Sequence, residues 1–335
     1  MNRGLEQGLI QGNTKGLQSG LIGGLKGMVT SNRTNILDPR AITDPKLKPV
    51  FYINADTVAL VSGGVSYAYN LIDSKPGDLM VVTENVFTQN AGTTYRPPLL
   101  RNELGGRNVF NFADTSNRYL ISGQLSAPAF YAQSSPSASG TGFTYIFIVK
   151  RKPGGTYTIF DGRDSSTLPT PNDLLLEVNA AGRLVFEYRG GAGGSTTSLL
   201  GTAGVNLLND YSIVTVKAQL REDGGFIPSD TDGPSPIAKR YYKPLDGIIG
   251  DPIQIFVNGI EQQKTVTTNT YTNADYFGDQ TFRMLNRDMS IGNKASTYAT
   301  SGTYIAAALM IPAYIPYAMQ QKLENYFRAY YGTTF

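Results

Sequence analysis

Phe143-Thr-Tyr-Ile-Phe-Ile-Val-Lys150 is an almost unbroken apolar run. Successive side chains of a strand point to opposite faces, so a run apolar at both parities belongs to a central strand covered on both sides. Further strands are predicted at 50–53, 78–83, 108–112, 157–161, 174–178, 183–188, 211–218, 253–257 and 303–311. Arg183-Leu-Val-Phe-Glu-Tyr188 alternates, as a half-exposed strand does. Asn258-Gly259 marks a two-residue hairpin, because both turn positions need positive φ. One helix is predicted, over 318–331, with Met319, Leu323, Tyr326, Phe327 and Tyr330 on one face, Pro316 before it and Gly332 as its C-terminal cap.

Composition agrees with an all-β chain. Of 335 residues, 37 are Gly and 18 Pro, and 21 Tyr with 15 Phe supply an aromatic core. Charged residues make up 16%, against about 25% in an ordinary soluble domain. With no Cys there are no disulfides, thiol nucleophiles or zinc clusters; with no His there is no Ser–His–Asp triad. A net charge of +3 offers no broad field for nucleic acid, and no stretch reaches the roughly 20 apolar residues that span a bilayer. The chain reads as an interaction or structural protein, not an enzyme.

Residues 1–28 stand apart. Gly4, Gly8, Gly12, Gly16, Gly20 and Gly24 recur every four positions, with Leu5, Leu9, Leu17, Leu21 and Leu25 following them. A helix would carry this as a slowly spiralling stripe, yet each interior Gly costs about 1 kcal/mol against Ala. The segment is therefore expected to take its extended or helical shape only on a partner that approaches the bare glycine face: an anchor. No apolar run of a signal peptide is present. Residues 29–49, with Asp38-Pro39, Asp44-Pro45 and Lys48-Pro49, read as an extended Pro-rich linker, and residues 50–335 as the sandwich domain.

The order of motifs over 50–333 resembles the concanavalin A-like, laminin G-type jelly rolls of bacterial secreted proteins and phage virion proteins. The resemblance rests on Phe51-Tyr-Ile-Asn-Ala-Asp56, Gly64-Val-Ser-Tyr67, Arg96-Pro-Pro-Leu99 and Gly105-Gly-Arg-Asn-Val-Phe-Asn-Phe112. It continues through Arg118-Tyr-Leu120, Ile253-Gln-Ile-Phe-Val-Asn-Gly259, Met289-Ser-Ile-Gly-Asn293 and the closing strand and helix. This chain lacks Trp; Tyr67 or Tyr69, and Tyr211, stand where relatives usually have one, an exchange the core can accept.

Several residue groups bear on chemistry. Glucanases on this fold need two carboxylates about 5–5.5 Å apart, carried as Glu-x-Asp-x-Glu on one strand face. No such pattern occurs here, and Glu177 and Glu187 read as outward-facing strand residues. The resemblance implies a rim calcium site, for which Asp161 and Asp164 are the candidates; a turn-forming Asp-Gly pair explains the same residues. Gly190–Gly194 lacks the Lys-Ser/Thr of a phosphate loop and reads as a hairpin connection. Within the long irregular stretch 221–250, Lys239, Arg240, Tyr241, Tyr242 and Lys243 mix cations with aromatics and are the candidate ligand-binding loop.

The expectation is a phage virion structural protein: a head fibre, decoration or tail-associated protein assembled in the host cytoplasm. Its N-terminal segment binds other virion proteins and its jelly roll faces outward. Homo-oligomers, a trimer among them, are expected because glycine faces let like chains approach closely. The alternative is a lectin-like module recognising host surface polysaccharide.

Overall fold

The computed structural model describes residues 35–44, 47–73, 81–82, 86–89, 96–113, 120–122, 125–126, 142–161, 174–189, 197–204, 206–219, 253–269, 290–292, 302–332 and 335. The strands among them begin with β1 (Phe51–Asn54), β2 (Val58–Val61), β3 (Gly64–Tyr69), β4 (Val81–Val82), β5 (Val86–Gln89), β6 (Leu99–Leu104) and β7 (Arg107–Asn111). Next come β8 (Leu120–Ser122), β9 (Leu125–Ser126), β10 (Gly142–Arg151), β11 (Tyr157–Asp161), β12 (Leu174–Val178), β13 (Leu184–Arg189) and β14 (Thr197–Thr202). The last are β15 (Ser212–Gln219), β16 (Ile253–Val257), β17 (Ile260–Glu261), β18 (Lys264–Asn269), β19 (Ser290–Ile291) and β20 (Thr303–Ile311), followed by helix α1 (Tyr317–Tyr331).

These strands form a jelly-roll-like β-sandwich with one C-terminal helix. The first sheet runs β17-β16-β15-β10-β20-β7-β6, with β1 beside β7 on the same edge of β20. The second runs β18-β14-β13-β12-β11-β19-β8-β5-β3-β2. Strand β10 is central, as its apolar run requires: it pairs with β15 on one side and β20 on the other. Its odd positions, Phe143, Tyr145, Phe147 and Val149, enter the core between the sheets; Ile146 and Ile148 enter a second core on the opposite face.

Aromatic rings fill the inter-sheet core. Tyr145 lies 4.9 Å from Phe160 and 5.3 Å from Phe143, centroid to centroid. The second core lies between the first sheet and α1. Leu323, Phe327 and Tyr331 are fully buried there, with Met319, Tyr326 and Tyr330 packed beside them. Gly332 closes the helix with φ +63° and donates its N–H to the Arg328 carbonyl. Asn258 and Gly259 adopt φ +55° and +84° between β16 and β17, the geometry expected of that hairpin.

The stretch read as an extended linker is packed in its described part. Pro39–Ala41 forms one turn of 3-10 helix, with Pro at its first position, where no N–H is needed, and Asp38 Oδ1 accepting from the Arg40 N–H at 2.9 Å. Ile42 is buried in the second core, with Leu37 and Leu47 against it. Its apolar residues belong to the helix layer, which Pro spacing alone did not disclose.

Candidate functional site

Each sequence-derived site residue is placed as follows. The Gly/Leu positions of the N-terminal segment and residues 239–243 lie outside the described residues. So does Asp164. Asp161 ends β11 and is only 1% exposed, opposite Leu175 and Ser290 in the strand register. Among the described residues no group of three acidic side chains gathers around a metal-sized space. Residues 190–196 join β13 to β14, which pair antiparallel with Arg189 opposite Thr197, so the glycine-rich segment connects hairpin neighbours.

Glu177 projects away from the inter-sheet core that receives Leu176 and Val178, as the alternation predicts. Its Oε1 accepts from the Thr158 hydroxyl at 3.2 Å. A retaining glycosidase needs two carboxyls at the wall of an open cleft. Asp161, on the same face of the neighbouring strand, is buried.

The tyrosines at which the sequence resemblance expects Trp part ways. Tyr211 is buried against the second core, with the Lys150 ammonium 5.2 Å from its ring. Tyr67 and Tyr69 do not enter the core; both are 43% exposed. Strand β3 alternates, and Val65 and Ala68 take the inward positions, so the two tyrosines share the outward face. Val61 on β2 shares that face and is 44% exposed, while Leu60, 38% exposed, pairs with Val65 and points to the other face.

Pattern reading also missed a polar cluster beneath α1. Glu324 is buried and accepts from Gln320 Nε2 at 2.8 Å, Thr215 Oγ1 at 3.1 Å and Arg328 Nη2 at 3.4 Å. Lys217 is buried among Phe256, Tyr314 and Tyr317, its Nζ 4.7, 4.7 and 5.9 Å from the three ring centroids. Burial lowers its pKa to about 8, against the pull of Glu261 and Glu324. Strand alternation in β15 put Thr215 and Lys217 opposite Val214 and Val216. Nothing in the pattern said that α1 would cover that face.

Where the chain begins to be described, Asn35 O accepts from Asn325 Nδ2 at 3.2 Å and the Leu37 N–H donates to the Lys322 carbonyl at 3.1 Å. The backbone thus enters on the helix layer, the side opposite the second sheet. Among the described residues no helix is long and apolar enough to cross a membrane.

The architecture is that of a two-sheet sandwich, and solved structures of that build are similar to it. One is the receptor-binding domain of botulinum neurotoxin D, 10% identical, covering 83% of this chain and 52% of that one, with a TM-score of 0.44. The chain therefore matches about half the length of that toxin domain. Others are the Ruminococcus gnavus IT-sialidase CBM40 bound to α2,3-sialyllactose (14%, 57% and 89%, TM-score 0.34) and a Trypanosoma rangeli sialidase complex (11%, 87% and 34%, TM-score 0.40). No family model matches the chain, and no curated protein does.

Proposed function

We propose that this chain is a non-enzymatic glycan-recognition module, held to a larger assembly by its N-terminal segment and presenting the second sheet outward. The observation that carries this reading is the polarity of the sandwich. Asn35 and Leu37 are tied to α1 on one side, and Tyr67 and Tyr69 face solvent from the sheet on the other. An anchor continuing from residue 35 starts on the side away from the tyrosines. The lack of Cys and His and the engagement of Glu177 by Thr158 favour binding over catalysis.

The assembly is a phage virion in this reading, on the strength of the motif order and the glycine-spaced residues 1–28; head fibre, decoration and tail-associated protein are its forms. Deleting residues 1–28 is expected to leave a cooperatively folding domain that retains glycan binding and no longer copurifies with particles. Undiminished incorporation would remove the anchor. Failure of the intact protein to bind any member of an array of bacterial surface oligosaccharides would remove the recognition role. Tyr241→Ala and Tyr242→Ala test the loop 239–243 as the contact.

A further inference from the structure

The β2–β3 hairpin carries a surface that the fold does not need. Ser62 and Gly63 turn it with φ +51° and +79°, a two-residue turn matched to strand twist. Register shifts between Ala59 and Leu60, leaving Ser66 as the extra residue of a bulge, which bends and twists the strand locally. Beyond the bulge Tyr67 and Tyr69 stand on the outer face, with Ala59 directly across from Tyr67. Their Cα atoms are about 7 Å apart, two strand residues. The Arg96 guanidinium holds the turn end, donating from Nη1 to the Val61 carbonyl at 3.0 Å, while its Cβ packs so closely on Gly64 that an added Cβ there would come within 2.4 Å.

The two tyrosines differ from those packed around the C-terminal helix. Tyr52, Tyr326, Tyr330 and Tyr331 pack edge-on or stacked on one another, and Tyr330 and Tyr331 also donate hydroxyl hydrogen bonds. Among the described residues Tyr67 and Tyr69 stack on no ring, and their hydroxyls meet no partner. Each therefore offers a flat apolar ring together with a hydroxyl that both donates and accepts. A sugar ring is the complementary object: one face lined by C–H groups, the rim by hydroxyls.

Size decides the class of occupant. On that face Val61, Tyr67 and Tyr69, 44%, 43% and 43% exposed, together offer roughly 250 Å², against about 800 Å² per partner in a stable protein interface. We infer that the outward face of this hairpin, centred on Tyr67 and Tyr69, is a saccharide-binding platform for two adjoining sugar rings, one on each tyrosine. This rests on the glycan-recognition reading and gives it a site distinct from the loop 239–243.

The test uses the full chain, with short oligosaccharides that the intact protein binds on an array, followed by calorimetry. Tyr67→Ala and Tyr69→Ala are each expected to weaken binding about tenfold, and the double substitution to abolish it. Both side chains are on the surface, so far-UV dichroism and the melting temperature should not change. Tyr67→Phe keeps the ring and should retain most of the affinity. Unchanged binding by the double variant, with loss on Tyr241→Ala, overturns the platform and leaves the recognition role standing. No binding by the intact protein overturns both. A concentration-dependent dimer in sedimentation, lost in the double variant without loss of sugar binding, would instead make this edge a contact between copies.

Discussion

The Lys217 ammonium lies 4.7 Å from the centroid of the Phe256 ring, on a strand face that α1 and the residues before it roof over. The cation is held by ring faces and by the Ile315 carbonyl, 3.4 Å from Nζ. Burial lowers its pKa from 10.5 to about 8. In the unfolded chain the group keeps its proton up to the ordinary value. Between about pH 8 and 10 the unfolded state therefore binds more protons than the folded one, and stability rises with pH. Urea midpoints should climb over that window in the wild type and stay flat in Lys217→Met. Above pH 10 the trend reverses in both, because burial pushes the Tyr145 and Tyr331 hydroxyls well above the usual phenol range and only the unfolded chain ionises them.

Glu324 is the hub of the neighbouring polar cluster, accepting from Thr215, Gln320 and Arg328. Glu324→Leu would strand the Thr215 hydroxyl and the Gln320 amide under the helix, while Arg328 keeps the Asn258 carbonyl and Asn325 Oδ1, each at 3.1 Å. Among the described residues Gln320 Oε1 already has no hydrogen-bond partner. The expected loss is about 3 kcal/mol by chemical denaturation. Glu324→Gln keeps an acceptor and should cost less.

Gly105 meets the end of α1 with no room to spare: a Cβ built there falls 1.4 Å from the Tyr331 carbonyl oxygen, at φ +57°. Gly105→Ala must push the helix terminus off the sheet, at a cost on the order of 3 kcal/mol. Its neighbour supplies the control. Gly106 has φ +77° and open space, so Gly106→Ala should cost only the strain of the left-handed backbone, about 1–2 kcal/mol.

Tyr330 ties the helix to the β1–β2 turn. Its hydroxyl donates to Asp56 Oδ2 at 2.9 Å, Asp56 Oδ1 accepts from the Asn108 N–H at 3.0 Å, and the Arg107 guanidinium covers the Tyr330 ring at 4.3 Å. Burial, then the Asp56 carboxylate, pushes the phenol up to about 12. Tyr330→Phe removes the hydrogen bond and keeps the ring, so a loss of about 1–2 kcal/mol is expected. Thermal unfolding in parallel with the wild type reads it.

Sequence pattern by itself determined the elements whose causes are local. Strands β11, β12, β16 and β20 start and stop where alternation and turn residues put them, and Asn258-Gly259 and Gly332 take the positive φ their positions demand. The continuous apolar run at 143–150 also announced a strand with cover on both faces, and β10 has it. Only tertiary structure decided what supplies the cover. Beside Ala306, β20 has β1 on one stretch and β7 on the next, and the Ala306 carbonyl accepts from both the Ala55 N–H and the Tyr331 hydroxyl. These partners are separated by some 250 residues or lie in a different element, beyond the reach of any periodicity. The same reason explains two positions whose surroundings parity alone does not decide. Lys217 and Tyr67 each sit at a parity that points away from the inter-sheet core. One is buried because α1 returns over it; the other faces solvent because no described element does.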